Sequence, residues 1–369
     1  EKFGLTQEQT EILYNLELLK TQNDIEKTNI PISTESVVSL KKQWIDEWKK
    51  YMELGFPNFV GKKDAVLHWY DESELLSKVK KNKPEKPWLR LALLETMIFE
   101  PYYPLSLEKD KNGKDIPSKK YNSLQNPIIG YKKSEGDNFL DTLFHDDFYT
   151  PGYIKRLRSC YSKVMRELNE VLKIAIKSLA ITAGVTIAAI LTAGMFAPAI
   201  AVALVGSNFA GLGGAALTSA CLAYIGGGAI AAGGLGMAGG TMAIVGGAAI
   251  LGVGVGAGVG GAAGAVSIMG KKATILQSAK LMVSVREIFL NDEHDLAYSN
   301  SIYEQYVRNI ADIEKGLVEL KLKADTASKE EKKKLMIEIK NAEESVNAMR
   351  IAMKSMHKFK SAFECGMAQ

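Results

Sequence analysis

The chain has few of the side chains that carry most reaction chemistry: three cysteines and four histidines in 369 residues. Cys160, Cys221 and Cys365 lie far apart, with neither the spacing of a disulfide framework nor that of a zinc site. No HExxH, paired-histidine or GxSxG pattern occurs. The first ten residues, EKFGLTQEQT, hold no apolar signal core. A formal net charge of +4 is too mild to indicate nucleic acid as a partner.

The most pronounced absence is local. Between Lys177 and Lys271 lie 93 consecutive residues without Asp, Glu, Lys or Arg, and 24 of the 33 glycines fall there. All 88 charged residues sit on the other 276, which are therefore 32% charged. That division excludes disorder over most of the chain and argues against a uniform globular enzyme.

Helical signals fill most of what remains. Thr6 with Gln9 reads as a capping box ahead of Ile12, Leu16 and Leu19. A second helix is predicted from Ser33 or Thr34 through Val37, Leu40, Trp44, Trp48 and Tyr51, stopping at Gly55 and Pro57. Asp71 with Glu74 caps another. Six of the ten prolines fall in 84–127, a density that predicts irregular loops with one hairpin at Asn112-Gly113, and no long helix. From Thr150-Pro151 a helix steps through Ile154, Leu157, Tyr161, Val164, Leu168 and Val171. After the uncharged block, Lys271 to Leu290 reads as helical again, 291–295 as a polar loop, and two further helices follow. Tyr303, Tyr306, Ile310, Ile313, Leu317, Leu320 and Ala324 line one; Leu335, Ile339, Ala342, Val346, Met349, Met353 and Met356 line the other, behind Ser328 and Glu331. They predict an antiparallel hairpin of about 45–55 Å at about 1.5 Å per residue. The methionines read as seam packing rather than a ligand set.

The expected architecture is mainly all-α: a polar, Pro-rich head (1–150), a stalk helix (151–177), a glycine-rich hydrophobic block (178–270) and a coiled-coil hairpin (271–369). A bilayer-spanning helix needs about 20 apolar residues, so the block is long enough to insert. Gly252, Gly256, Gly260 and Gly264 would form a bare stripe on a helix, the packing surface of helices in lipid. Basic residues flank both ends, among them Lys173, Lys177, Lys271 and Lys272, which favours one anionic face and an even number of crossings.

Other motifs carry less. Gly256 to Gly261 matches GxGxxG inside a glycine-rich tract, with no acidic ribose partner about 20 residues on. Gly264 to Lys271 has one residue too many for a phosphate loop, and Lys272 stands where its hydroxyl belongs. His145-Asp146-Asp147 and Asp292-Glu293-His294-Asp295 read first as solvated loops and second as acid–base or metal clusters.

The order of coiled-coil helix, uncharged Gly/Ala-rich insertion and coiled-coil helices over residues 150–365 resembles the α-helical pore-forming toxins of the cytolysin A and haemolytic-enterotoxin type. Separately, GMFAPAIAVALVG (194–206), GLGGAALTSA (211–220) and VREIFL (285–290) resemble the membrane-addressing region of apolipoprotein L proteins. Both resemblances imply helical proteins that pass from water into a bilayer. The expected function is accordingly a pore or ion channel of toxin or defence type, inserting 178–270 as an oligomer. Its partners would be the lipid bilayer and further copies or related subunits, with no nucleic acid. Its location would be a membrane, reached from a secreted or cytosolic form. No catalysis and no cofactor are expected. Two rivals stand beside it: a membrane-anchored coiled-coil scaffold that recruits a protein partner, and an enzyme with its site at His145, Asp146 and Asp147.

Overall fold

The structure is a computed structural model that describes residues 6–29, 34–60, 64–105, 107–109, 111, 115–144, 148–172, 275 and 278–366. Of these, residues up to Lys163 form one compact unit and those from Val164 onward a second.

The first unit is built around α1 (Gln7–Glu26). Its capping box is complete: Thr6 accepts from the Gln9 amide, and the Gln9 side chain accepts from the Thr6 amide. The apolar stripe predicts one buried face, yet every residue from Thr10 to Thr21 is buried. A helix enclosed on all sides must find partners for its polar groups. Neighbours α2 (Thr34–Val60), α3 (Glu72–Lys81), α4 (Pro87–Ile98) and α5 (Lys133–Leu143) surround it. Asn15 and Glu11 bind the incoming segment 68–70 like a missing strand: Asn15 exchanges hydrogen bonds with the His68 carbonyl (2.9 Å) and the Tyr70 amide (2.6 Å), and Glu11 accepts from the His68 amide (2.7 Å) and Tyr70 hydroxyl (2.8 Å).

Two local expectations are corrected here. Helix α2 runs past Gly55 and Pro57 to Val60; a proline removes one backbone donor but does not oblige a helix to end. The Pro-rich region contains a twelve-residue helix, α4, because Pro87 takes its first position, where an amide has no intrahelical acceptor, and Pro101 falls beyond its end. Short strands β1 (Leu107–Lys109) and β2 (Asp115–Pro117) then pair antiparallel, with Glu108 opposite Ile116. Asn112 and Gly113 lie outside the described residues.

Helix α6 (Tyr153–Leu172) begins where Asp141 of α5 accepts from the amides of Gly152 (2.7 Å) and Ile154 (3.1 Å). Its buried positions include Ile154, Leu157, Val164 and Leu168 from the expected stripe, together with Tyr153, Cys160 and Met165.

The second unit holds a π-helix (Ser284–Asp292) and the hairpin of α7 (Leu296–Thr326) and α8 (Lys329–Glu364). Asp295 caps α7 by accepting from the Tyr298 amide (3.0 Å), and Ser328 caps α8. Between them only Ala327 and Ser328 lie outside a helix. Tyr306, Ile310, Leu317 and Ala324 are buried on α7; Leu335, Ile339, Ala342, Val346, Met349 and Met356 are buried on α8.

The fold is a mostly helical bundle, and the membrane-inserting part of the expectation is corrected. Among the described residues no helix is long and apolar enough to cross a membrane. Helices α7 and α8 have the length, at 31 and 36 residues, but carry charge on nearly every turn. A hydrocarbon interior offers such charges no partner. The block 178–270 lies outside the described residues.

Candidate functional site

In the first unit, the C-terminal half of α1 continues its buried face with ions instead of aliphatics. Lys20 and Asp24 follow Leu13 and Leu16 at helical spacing. The Lys20 ammonium donates to the carbonyls of Thr96 and Phe99 (2.5 Å to the latter), the last turn and cap of α4, whose carbonyls have no intrahelical donor. It also lies over the rings of Phe99 and Tyr131, 5.4 and 5.1 Å from their centroids. Burial, reinforced by the nearby Arg158 guanidinium, pushes its pKa down to about 7.

One turn further, Asp24 is the hub of a second buried cluster. Its Oδ2 accepts from Lys41 Nζ and from the Tyr102 hydroxyl, each at 2.6 Å, and its Oδ1 from the Lys132 amide at 3.2 Å. Lys41 completes its set with Thr28 Oγ1 (3.0 Å) and the Gly130 carbonyl (3.3 Å). Burial holds the Lys41 ammonium below its ordinary pKa and pushes the Tyr102 phenol well above its own, the Asp24 charge adding to the latter. A third cluster joins Arg158 of α6 to both carboxylate oxygens of Asp137 (2.8 Å each) and to the Met97 carbonyl (2.5 Å). These ions tie α1, α2, α4, α5 and α6 together. With donors and acceptors matched in each cluster, the ions read as framework.

Buried polar atoms left without a partner in this unit include Asn23 Nδ2 and the Tyr131 hydroxyl. The latter points at Gly136, where a Cβ would stand 1.7 Å from it.

The second unit shows the reverse pattern, apolar groups in water. Val307, Val318, Leu322 and Met336 are exposed by 37, 57, 64 and 53%. Among the described residues four ion pairs cross from α7 to α8: Glu314–Arg350 (2.7 Å), Lys321–Glu343 (2.7 Å) and Asp325–Lys332 (3.9 Å), which lie beside these residues by helical spacing, and Lys323–Glu331 (4.0 Å). Val318 lies four residues from Glu314, Leu322 three from Asp325, and Met336 four from Lys332, so apolar and charged groups share one face of the hairpin. Sequence reading found the buried seam and missed this row; the signal was available in Val318 and Leu322, aliphatics at an i, i+4 spacing outside the seam.

None of the residues expected to act in a membrane can be placed. Gly252, Gly256, Gly260, Gly264, Lys173, Lys177, Lys271 and Lys272 lie outside the described residues, as do His145, Asp146 and Asp147. The other acidic loop is described, and its groups have structural tasks. Asp295 caps α7, and His294, in the left-handed region at φ 50°, stacks on Phe363 with ring centroids 6.1 Å apart. Among the described residues no group of three or more His, Cys, Asp or Glu is placed to hold a metal ion.

Comparison with known proteins corrects the recognition drawn from segment order. No family model matches the chain, no curated protein matches it, and no solved structure matches its fold. The toxin-like and apolipoprotein L-like resemblances therefore have no homologue behind them. The pore, its membrane-anchored rival, the lipid and oligomeric pore partners and the membrane location lose their support with them, since no described helix can span a bilayer.

Proposed function

We propose that this is a non-catalytic protein-binding protein whose α7–α8 hairpin receives an amphipathic helix from a different protein. The observation that supports the reading is the exposed aliphatic row Val307, Val318, Leu322 and Met336 beside the cross-hairpin ion pairs. Seams between helices are normally filled by side chains of this kind, and here they face solvent on a surface whose width the ion pairs fix. Residues 307 to 322 span about 22 Å, four turns of a facing helix. Charges of both signs border the row, so the fitting partner carries an apolar stripe flanked by acidic and basic residues alike. The buried ions of the first unit are engaged with one another, which is why no reaction is assigned to them.

A photo-crosslinking residue at position 322 tests this in cells that make the protein. The expected adduct joins one other protein, at sites recurring every three or four residues as on a helix. Val318→Lys or Met336→Lys should abolish it. Ile337→Lys, one residue further round α8 and equally exposed, should leave it intact. Adducts that form equally in all three variants, or only within the chain itself, would overturn the proposal.

A further inference from the structure

A separate surface on the first unit points to a partner of different chemistry. Residues 78–90 carry Lys78, Lys80, Lys81, Lys83, Lys86 and Arg90 against a single acid, Glu85. The last turn of α3 and the turn into α4 place them at one corner. Part of this charge has a local explanation, since lysines at the end of α3 complement its dipole. Lys83 and Lys86 lie beyond that helix and have no such reason.

The corner is rigid. Trp88 donates its indole N–H to the carbonyls of both Asn82 (2.8 Å) and Lys83 (3.0 Å), and the Lys86 amide donates to Lys83 (3.1 Å). The Asn82 amide closes α3 on Lys78 and Val79. Lys83 is held at φ 56°, a conformation that glycine or asparagine adopts with less strain. The turn thus keeps an exposed ammonium where backbone sterics alone would favour another residue.

The lysines are also uncommitted. Elsewhere in this unit exposed lysines cross to acids on other elements, as Lys27 does to Glu135, Lys120 to Glu47 and Lys133 to Glu100. Among the described residues Lys81, Lys83 and Lys86 have no ion-pair partner, and all three are exposed. Among the described residues the two rings at this corner are both occupied: Trp88 is buried with its N–H engaged, and the half-buried Tyr70 ring is covered by Lys78, whose Nζ stands 5.0 Å from its centroid. Stacking platforms are what single-stranded nucleic-acid sites add to their positive charge. A lysine ammonium is a point charge on a flexible stem, so it can meet a carboxylate without the fixed fork geometry that arginine imposes.

We infer that the α3–α4 corner binds an acidic polypeptide segment, rich in Asp and Glu, through Lys81, Lys83 and Lys86. Titrating the full chain with a fluorescent oligoglutamate peptide tests this, with a single-stranded oligonucleotide of equal charge as the competing class. The expected result is peptide binding that weakens steadily with salt and becomes about tenfold weaker, about 1.4 kcal/mol in all, when the three lysines are changed to Gln. The matching change of Lys329, Lys332 and Lys333 on α8 should leave it unaltered, and arginine at the three corner positions should retain it. Tighter binding of the oligonucleotide, an equal loss with the α8 variant, or no peptide binding at low salt would each overturn the inference.

Discussion

Helix α1 and the pair α7–α8 are both rich in charge, yet they use it in opposite ways. Helix α1 is enclosed on every side, and Lys20 and Asp24 are taken inside and matched to groups more than 75 residues away, at Thr96, Phe99 and Tyr102. Helices α7 and α8 bury one seam each; their ion pairs lie on the surface and join residues 36 or fewer positions apart. A buried ion left alone carries its whole desolvation cost, whereas a surface pair loses little when one partner goes. The same residue types are therefore indispensable in one unit and nearly interchangeable in the other.

The largest expected effect comes from removing the hub of the buried cluster. Asp24→Ala leaves Lys41 without its counter-charge and the Tyr102 hydroxyl without its acceptor, and should cost about 3–5 kcal/mol in denaturant unfolding. Glu314→Ala, which breaks a surface pair of similar length, should cost under about 1 kcal/mol. Equal losses would erase the contrast between the units.

Packing should rank next. Leu317→Ala opens the buried seam of the hairpin and is expected to cost about 2–4 kcal/mol. Val318→Ala, one residue on and exposed, should stay within about 0.5 kcal/mol. Thermal unfolding followed by circular dichroism measures both.

A further test concerns Tyr131 and Gly136. Gly136→Ala drives a methyl into the Tyr131 hydroxyl and should destabilise by about 1–3 kcal/mol. Tyr131→Phe removes an unmatched buried hydroxyl and should be neutral or stabilising. In the double variant the alanine should cost less than it does alone, because the hydroxyl it strikes is gone. Strict additivity would show that the two residues are not in contact.

Lys20 makes the smallest and most specific prediction. Its folded-state pKa, about 7, lies below its unfolded value, so folding releases a proton between about pH 7 and 10. Stability should therefore rise with pH across that window, by no more than about 1.4 kcal/mol per unit from this group. Lys41 has the same sign, and the buried tyrosines, shifted upward, oppose it only near and above their ordinary pKa of about 10. Lys20→Met should flatten the slope between pH 7 and 9 relative to wild type. An unchanged slope would show that Lys20 remains protonated in the folded chain throughout.

What was legible in the sequence is what depends on near neighbours. The capping pairs Thr6/Gln9 and Asp71/Glu74 form as their three-residue spacing requires, and the three-and-four alternation of α7 and α8 picks out most of the residues buried there, with Tyr303, Leu320 and Met353 only half-buried. Local pattern failed where the deciding partner is remote. Proline density hid α4, because what matters is where each proline falls relative to a helix end. The start of α6 is set by Asp141 of another helix, and the stripe on α1 gave no hint of a helix buried all round. Lack of charge in 178–270, joined to an order of segments, suggested a membrane protein; composition shows only that a segment could enter lipid, and the helices that the structure describes cannot. Sequence alone determined that most of the charged part of the chain is helical and which face of α7 and α8 is apolar, since both follow from contacts three or four residues apart. Only the tertiary structure decided which ions are framework and which lysines are left to meet a partner, because the energy of a charge depends on what surrounds it in space.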